Sequence, residues 1–334
     1  MIGWYIHHHG FGHVSRFLAV QPHLRTPVIA FSSMPRPAGL AADVEWMTLP
    51  PDAESFAGPT GRPTDPRDAE PTARGRLHWA PLGHPGHRAR LATIASIAVD
   101  RALETFVVDV SAEVVAFARL LGMRTVAVTQ PGLRTDPAHT LAYNLADRII
   151  APWAEGAVAA PGLEPHAERV SWTGGISRFD GRAFSNSTDQ RRVTLLGRVL
   201  APAVRDESVA LLTDRGWHVT SIGQDDASRV DDPWPLLTRS TVVVSAAGQN
   251  SVADLAASAS RAVVIAQDRP FDEQRATAAA LDSWSLARRA DETVSPRDLV
   301  DLIERASHDT PQWARWRVAG AAGRMAAAVE GRLP

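Results

Sequence analysis

The segment 240–274 carries the turn and side chains best suited to binding a phosphate group. Its apolar run at 241–244 predicts a buried strand, a turn of small residues follows at 245–248, and a helical pattern begins near Gln249. A helix N-terminus presents free backbone N–H groups and the positive end of the helix dipole, so a phosphate or diphosphate is its natural ligand. Asp254 lies one turn into this helix, where its carboxylate can meet a ribose. The alternative is an ordinary βαβ unit whose acid only complements the helix dipole.

A second strand, glycine turn and helix pattern opens the chain. The strand predicted over 2–6 leads through the turn GFGHVSR at 10–16 into a helical pattern at 17–20. Glycines in such a turn let the backbone approach a ligand closely. Asp109 lies at the carboxyl end of another buried strand, 105–110, which is the end where open α/β sheets bind ligands. These residues predict a second wall of the same site.

Three consecutive histidines, His7, His8 and His9, precede this turn. Because side chains alternate along a strand, His7 and His9 share a face and, with His13, offer the ligand types of a metal site. Such a site needs three protein ligands and a second shell of partners. We therefore interpret the histidines as lining a polar active-site loop, and we expect no metal.

The elements around these turns predict an α/β protein. Strands too apolar to be half-exposed alternate with helices, which is typical of parallel sheets covered on both faces. At 334 residues, two domains are expected. We place an N-terminal domain at 1–172, a linker at 173–190, a C-terminal domain at 191–310 and a terminal segment at 311–334. The helix expected at 311–330 of that segment packs back across the domains.

A proline-rich region at 50–85 predicts long surface loops. It contains Trp79 and His84, and His87 follows it. These side chains suit a lid or an acceptor-side loop, and the alternative is a surface loop without a function.

Composition excludes several kinds of chemistry. The absence of cysteine excludes disulfides, thiolate nucleophiles and cysteine-based metal sites, and the absence of lysine excludes a Schiff-base or P-loop lysine. A net charge of −2 gives no electrostatic reason to expect a nucleic-acid partner. Without a signal-like N-terminus or a spanning apolar run, a cytoplasmic protein is expected.

Two of these stretches resemble one family. Residues 10–16 look like the N-terminal glycine–histidine loop of GT-B glycosyltransferases. Residues 245–254, with 272–274 further along, are similar to the donor-binding segment of the peptidoglycan N-acetylglucosaminyltransferase group, glycosyltransferase family 28. Residues 174–178 resemble the family's hinge. The resemblance implies two Rossmann-like domains with parallel sheets facing across a cleft, with the donor in the C-terminal domain and the acceptor in the N-terminal one.

The resemblance also implies roles for individual residues. His13 would orient or deprotonate the acceptor hydroxyl, and Asp109 is a second candidate base. Alternatively, His13 only bonds the loop backbone and Asp109 only caps the following helix. The turn at 196–199 lacks the family's fuller glycine-rich loop, and Arg198 is the expected compensating partner of the diphosphate. The expected donor-binding residues are Gly12, Arg198, Gly248, Gln249, Asn250, Ser251, Asp254, Asp272, Glu273 and Gln274.

The expected function is transfer of a sugar from a nucleotide-diphosphate donor, a UDP-sugar, to an acceptor hydroxyl. Transfer should invert the sugar and need no metal or other cofactor, because a helix N-terminus stabilises the leaving diphosphate. The acceptor stays open between a glycan, a lipid-linked molecule and a small molecule, so a cell-envelope role with peripheral contact at the inner face of the membrane also stays open. Two alternatives remain: an epimerase or hydrolase on the same scaffold, or a catalytically silent scaffold subunit, which the reduced loop at Gly197 favours.

Overall fold

The computed structural model describes residues 1–8, 10–58, 61–183, 191–225, 227–228 and 230–332. In chain order the strands are β1 (Ile2–Ile6), β2 (Val28–Ser32), β3 (Glu45–Thr48), β4 (Phe56–Ala57), β5 (Pro63–Thr64), β6 (Thr105–Asp109), β7 (Arg124–Val128), β8 (Arg148–Ala151), β9 (Val170–Trp172), β10 (Arg192–Leu196), β11 (His218–Ile222), β12 (Val242–Ala246), β13 (Ala262–Ala266) and β14 (Arg288–Asp291). The α-helices are α1 (Gly12–Val20), α2 (Pro85–Asp100), α3 (Ala112–Leu120), α4 (Pro137–Leu145), α5 (Pro202–Asp214), α6 (Trp234–Arg239), α7 (Gln249–Ala257), α8 (Glu273–Ser283), α9 (Pro296–Ala306) and α10 (Ala321–Val329).

Two parallel sheets organise these elements. The first has the strand order β3-β2-β1-β6-β7-β8-β9 and the second has the order β11-β10-β12-β13-β14. Neighbouring strands within each sheet run parallel. Strands β4 and β5 form a small antiparallel pair inside the proline-rich region. The predicted α/β class with parallel sheets is therefore confirmed.

The central strands form where the sequence is apolar and β-branched. Every residue of β1 and β13 is buried, as parallel strands covered on both faces require. Ile6 at the end of β1 pairs with Asp109 at the end of β6. The turn after β1 and the carboxylate of Asp109 are consequently neighbours, although they are far apart in the sequence.

The terminal helix α10 completes the core of the first sheet. Met325 and Val329 are fully buried in the same cluster as Trp4 and Phe17. The Glu330 carboxylate, which follows α10, accepts hydrogen bonds from the backbone N–H groups of Arg25 and Thr26, at 2.8 and 2.7 Å. Chain far from the first sheet in sequence therefore covers one of its faces.

The single helix predicted over 311–330 is wrong. A 3-10 helix at Trp313–Trp316 precedes α10, and the two are separated by left-handed backbone at Arg317 (φ 57°) and Gly320 (φ 72°), which no α-helix can contain. Trp313 and Trp316 are buried, as docking contacts require, and Trp313 Nε1 donates to the carbonyl of Ser260 at 2.8 Å.

The predicted linker packs more tightly than its composition indicates. Gly174 has φ +81°, and a Cβ there would lie 2.0 Å from the Arg317 carbonyl oxygen, so only glycine fits. Residues 184–190 of that linker lie outside the described residues. Among the residues that the structure describes, no helix is long and apolar enough to cross a bilayer.

Candidate active site

A cavity of about 1200 Å³ opens between the carboxyl ends of the first sheet and the first turn of α7. Most of its wall comes from the first sheet and its loops, and the rest comes from Gly248, the first turn of α7 and residues 269–271 and 273–274. The predicted site residues that line it are Gly12, His13, Gly248, Gln249, Asn250, Ser251, Glu273 and Gln274. Asp109 lies fully buried between Val108 and Val110, which also line the cavity.

His13 and Asp109, predicted as separate candidates, form a hydrogen-bonded pair. His13 Nδ1 lies 3.0 Å from Asp109 Oδ1. The same carboxylate oxygen accepts a hydrogen bond from Arg16 NH1 at 2.7 Å. His13 and Arg16 are three residues apart in the first turns of α1, so both side chains reach the same side of the helix and meet Asp109 at the end of β6.

The charge on Asp109 fixes how His13 can act. Burial raises the pKa of Asp109, but Arg16 and His13 outweigh that effect and hold its pKa below the ordinary value. The ionised carboxylate accepts the Nδ1–H of the imidazole, which leaves Nε2 as a proton acceptor. The pair is therefore built to take a proton from a hydroxyl group bound in the cavity.

The N-terminus of α7 forms the opposite wall. Gly248 precedes the helix in extended conformation, and no side chain caps the first turn. The N–H groups of this turn therefore remain available for a ligand, and no acidic residue in the turn offsets the positive end of the helix dipole. The nearest atom to a Cβ built on Gly248 is Gln274 Nε2, at 3.8 Å, so the glycine keeps the approach to the helix open.

Hydrogen bonds join the two walls directly. Arg16 NH2 donates to Gln249 Oε1 at 2.8 Å, and Asn250 Nδ2 donates to the Gly12 carbonyl at 2.7 Å. The first turns of α1 and α7 are therefore held against each other.

A second bridge crosses the cleft beside the cavity. The Leu133 N–H donates to the Phe271 carbonyl at 2.8 Å, and Arg134 NH2 lies 3.7 Å from Glu273 Oε2. Burial raises the pKa of Glu273, while the charges of Arg134, Arg16 and His13 oppose the rise. Glu273 thus faces positive groups from the other wall and lies within their electrostatic reach.

Three predicted donor residues do not line the cavity in the described part of the chain. The Asp254 carboxylate accepts a hydrogen bond from Ser177 Oγ at 2.6 Å, because residues 174–178 pack along that face of α7. Asp272 has left-handed backbone (φ 55°), and its exposed carboxylate pairs with Arg275 at 3.0 Å. Arg198 is exposed on the turn after β10. Their donor roles stay predictions.

Sequence reasoning missed a second polar cluster in the cavity wall. Asp136 Oδ1 lies 2.8 Å from His78 Nε2, and Asp136 Oδ2 lies 2.5 Å from His139 Nδ1. Arg134 NH1 lies 3.0 Å from the other ring nitrogen of His139. The available signal was the run Asp136-Pro137, which marks a helix start with an N-cap acid and proline in the first turn. It did not reveal His78, which lies 58 residues away.

His78, Asp136 and His139 have the ligand types of a metal site. Their hydrogen bonds oppose that use. Burial lowers the pKa of His139 to about 4, so the ring is neutral near pH 7. Because Arg134 donates to Nε2, the single ring proton lies on Nδ1 and points at Asp136, where a metal would need a lone pair. We therefore interpret the cluster as a hydrogen-bonded array.

The other metal alternative rested on His7, His9 and His13. His9 lies outside the described residues. His7 and His8 stack ring on ring, with centroids 4.9 Å apart, and both line the cavity.

The fold and the two-walled cavity define a class. Two parallel sheets covered by helices meet at one cleft, with a glycine turn and helix N-terminus contributed from each side. This is the GT-B fold, as the sequence resemblance implied. No protein-family model matches the sequence, and no curated protein is similar to it in sequence.

Solved structures share this fold along the whole chain. The glycotransferase of kitacinnamycin superposes with a TM-score of 0.68 at 15% identity, covering 100% of this chain and 99% of that one. MurG of Acinetobacter baumannii gives 0.64 at 14% identity, covering 99% of both. The spinosyn rhamnosyltransferase SpnG, solved with spinosyn aglycone, gives 0.62 at 15% identity, covering 99% of this chain and 97% of that one. SpnG has also been solved with thymidine diphosphate. At these identities the likeness establishes the fold.

Proposed function

We propose that the protein transfers a sugar from a nucleoside-diphosphate donor to a hydroxyl group of an acceptor bound in the cavity. One observation carries the proposal: His13, bonded to the buried Asp109, and the uncapped first turn of α7 line the same cavity from its two walls. A base for a hydroxyl and a site for a leaving diphosphate are the two requirements of such a transfer. The GT-B neighbours are glycosyltransferases, which supports the assignment.

In this mechanism His13 Nε2 takes the proton of the acceptor hydroxyl as its oxygen attacks the anomeric carbon. The bond from that carbon to the diphosphate breaks, and its electron pair leaves on the diphosphate oxygen. The charge that develops there is stabilised by the N–H groups of Gln249, Asn250 and Ser251. Asp109 stabilises the imidazolium that forms. Attack from the wall opposite the leaving group inverts the anomeric centre.

The donor side needs no metal in this proposal. The N-terminus of α7 supplies the positive charge that a leaving diphosphate requires. Glu273 and Gln274 line the cavity next to α7, where the transferred sugar would lie, and Glu273 carries the hydrogen-bonding oxygens for its hydroxyls. A UDP-sugar is the expected donor, and the likeness to MurG supports placing the chain with family 28.

The acceptor we favour is a free small molecule. The cavity extends into the N-terminal half, where Tyr5, Leu91, Val115, Ala127 and Tyr143 give it an apolar wall. Its volume of about 1200 Å³ is enough for a drug-sized molecule beside the transferred sugar. The complex of SpnG with its aglycone is a precedent for such an acceptor on this fold.

Thermal stabilisation by nucleoside diphosphates tests the donor site. UDP, TDP, GDP, ADP and CDP are compared at millimolar concentration, with the matching nucleosides as controls that lack the diphosphate. A ligand at 100 times its Kd stabilises a protein by about 2.7 kcal/mol, so the melting temperature should rise with at least one diphosphate and not with its nucleoside. Gly248→Leu should abolish the rise, because its side chain fills the approach to α7 without backbone strain at φ −72°. If no diphosphate raises the melting temperature, the donor site is not where we place it.

Turnover then separates the three candidate functions. The stabilising nucleotide is supplied as its sugar conjugates, with and without a panel of hydroxylated small molecules, and products are identified by mass spectrometry and NMR. New glycosides formed only with acceptor indicate a transferase. An isomerised or hydrolysed nucleotide sugar formed without acceptor favours the epimerase or hydrolase. Binding without any turnover favours the scaffold subunit.

A further inference from the structure

Arg16 is a buried cation placed between the two walls of the cleft. Its side chain is 3% exposed, NH1 donates to Asp109 Oδ1 at 2.7 Å, and NH2 donates to Gln249 Oε1 at 2.8 Å. One planar guanidinium therefore contacts both the carboxylate of the catalytic pair and the first turn of α7. Arginine suits this position because its donors are spread over a rigid fork, whereas lysine offers a single nitrogen.

The contact with Asp109 brings one carboxylate oxygen against both the His13 ring and a permanent cation. His13 Nδ1 and Arg16 NH1 approach the same oxygen of Asp109, which is completely buried. In a simple histidine–aspartate pair, the whole carboxylate charge favours the imidazolium. Here the permanent charge of Arg16 offsets part of the Asp109 charge that the His13 ring meets. A ring that must accept a proton from a hydroxyl has to begin unprotonated, and a permanent cation beside its carboxylate partner acts in that direction.

The contact with Gln249 fixes the distance between α1 and α7. Together with the bond from Asn250 to the Gly12 carbonyl, it sets the first turn of α7 against the first turn of α1, which carries His13. The base and the proposed diphosphate site are thereby held at one separation. Proximity of this kind matters strongly for rate, because small displacements of a reacting group lower turnover much more than binding.

We propose that Arg16 is a positioning residue that offsets the charge of Asp109 beside the His13 ring and holds this ring in register with the donor wall through Gln249. The register role rests on the proposed sugar transfer, whereas the charge role beside Asp109 does not. Among the described residues, the charged and titratable groups near the His13 ring include Asp109 and Arg16, the His7 ring at 5.7 Å between centroids, and Glu273 from the other wall.

Two Arg16 variants distinguish the role of its charge beside Asp109 from the role of its contact with Gln249. Arg16→Gln removes the cation, and Arg16→Lys keeps a cation beside Asp109 without the fork that also reaches Gln249. Arg101→Gln is the matched control, because Arg101 follows α2 and pairs with Glu45 at the surface, outside the cavity wall. The first measurement is the NMR titration of the His13 ring in ¹⁵N-histidine-labelled protein, assigned with His13→Asn.

We expect the midpoint of the His13 titration to rise by about one pH unit or more in Arg16→Gln, because a unit charge that contacts the same carboxylate oxygen is removed from a buried site. It should stay near the wild-type value in Arg16→Lys and in Arg101→Gln. A midpoint in Arg16→Gln that stays within about 0.3 of the wild type overturns the charge role. If Arg16→Gln does not fold, a large upward shift in Arg16→Lys overturns the same role, because the charge is retained there.

Kinetics test the register role. With the donor and acceptor that the wild type turns over, Arg16→Lys should lower kcat by about 10- to 100-fold with little change in donor KM. Arg101→Gln should keep both constants. A wild-type kcat in Arg16→Lys overturns the register role. If the wild type binds no nucleoside diphosphate, the proposed transfer fails, and the His13 titration still decides whether Arg16 sets the protonation of the pair.

Discussion

Replacing Asp254 with asparagine should stabilise the protein at neutral pH. Asp254 accepts a hydrogen bond from Ser177 Oγ at 2.6 Å, where residues 174–178 meet α7. Burial raises the pKa of its carboxyl from the ordinary 3.8 to about 6, against the opposing effects of the Ser177 hydrogen bond and the Arg178 charge. At neutral pH the folded protein therefore carries a buried carboxylate whose ionised form is destabilised relative to the unfolded chain.

The direction and size of the effect follow from proton linkage. Below pH 4 the carboxyl is protonated in both the folded and the unfolded state, so it has no effect. Between pH 4 and 6 the unfolded chain releases the proton and the folded protein keeps it, so stability falls as the pH rises. Above pH 6 the full cost is present. Each pKa unit is worth about 1.4 kcal/mol, so the cost at pH 8 is at most about 3 kcal/mol.

Urea unfolding followed by tryptophan fluorescence at pH 4, 5, 6, 7 and 8 measures this. Asp254→Asn keeps a side chain that can bond Ser177 and removes the charge. Its free energy of unfolding should equal that of the wild type near pH 4 and exceed it increasingly up to pH 7. Asp282→Asn, an exposed change on α8, is the control and should give no such divergence. An Asp254→Asn variant that is less stable than the wild type at pH 8, or whose difference is the same at every pH, refutes the reasoning.

The same variant also tests the ribose contact expected from sequence. If Asp254 turns to the nucleotide when donor binds, calorimetry should show weaker binding in Asp254→Asn. Unchanged affinity would mean that the carboxylate stays with Ser177.

Three further predictions concern the cavity and its walls. His13→Ala and Asp109→Asn should each lower kcat by about 10²- to 10⁴-fold with donor affinity kept, measured by steady-state kinetics and calorimetry; wild-type turnover in His13→Ala would remove this residue from the chemistry. Gly132→Ala should destabilise by clearly more than about 1 kcal/mol in urea unfolding, because its Cβ would lie 2.0 Å from the Phe271 carbonyl oxygen at φ +101°. Gly122→Ala, at φ +80° with no atom within 4 Å, is the control for backbone strain alone, and equal losses would contradict the clash. Burial lowers the pKa of His139 from 6.5 to about 4, so the unfolded chain binds a proton there before the folded protein does. The free energy of unfolding should therefore be unaffected above pH 6.5 and should fall by up to about 3 kcal/mol as the pH falls to 4. In thermal melts His139→Gln should lack this acid loss, and a parallel decline in variant and wild type would count against it.

Much of the fold follows from local sequence. The strand predicted over 105–110 appears as β6, Thr105–Asp109, because a β-branched apolar run bounded by polar residues has no competing structure. Less regular elements were missed. Strand β3, at the sheet edge, is partly exposed and lacks the apolar run of a central strand. Helix α8 begins at Glu273, directly after left-handed backbone at Phe271 and Asp272, in a polar stretch without a helical apolar pattern at its start.

The candidate site was predictable as parts rather than as an arrangement. The sequence predicts His13 and Asp109 individually, each beside a strand end. Their pairing depends on β1 lying next to β6, which strand patterns alone do not specify. The sequence does not distinguish Arg16 from any other polar helix residue, because its partner Gln249 is 233 residues away. For Asp254, helix periodicity predicts a ribose contact that stays a prediction, and the packed chain adds a hydrogen bond from Ser177 that the sequence did not reveal.

Helix α10 has a consequence for how the protein is made. Its Met325 and Val329 cover the same side of the first sheet as Trp4 and Phe17, and Glu330 binds the backbone at Arg25 and Thr26. A ribosome delivers residues 1–172 well before it delivers this helix. Until α10 is synthesised, the nascent first sheet therefore exposes an apolar face. Exposed apolar surface of this kind favours aggregation or binding by a chaperone. For the same reason, residues 1–172 expressed alone would lack part of their own core, and acceptor-binding studies need the full chain.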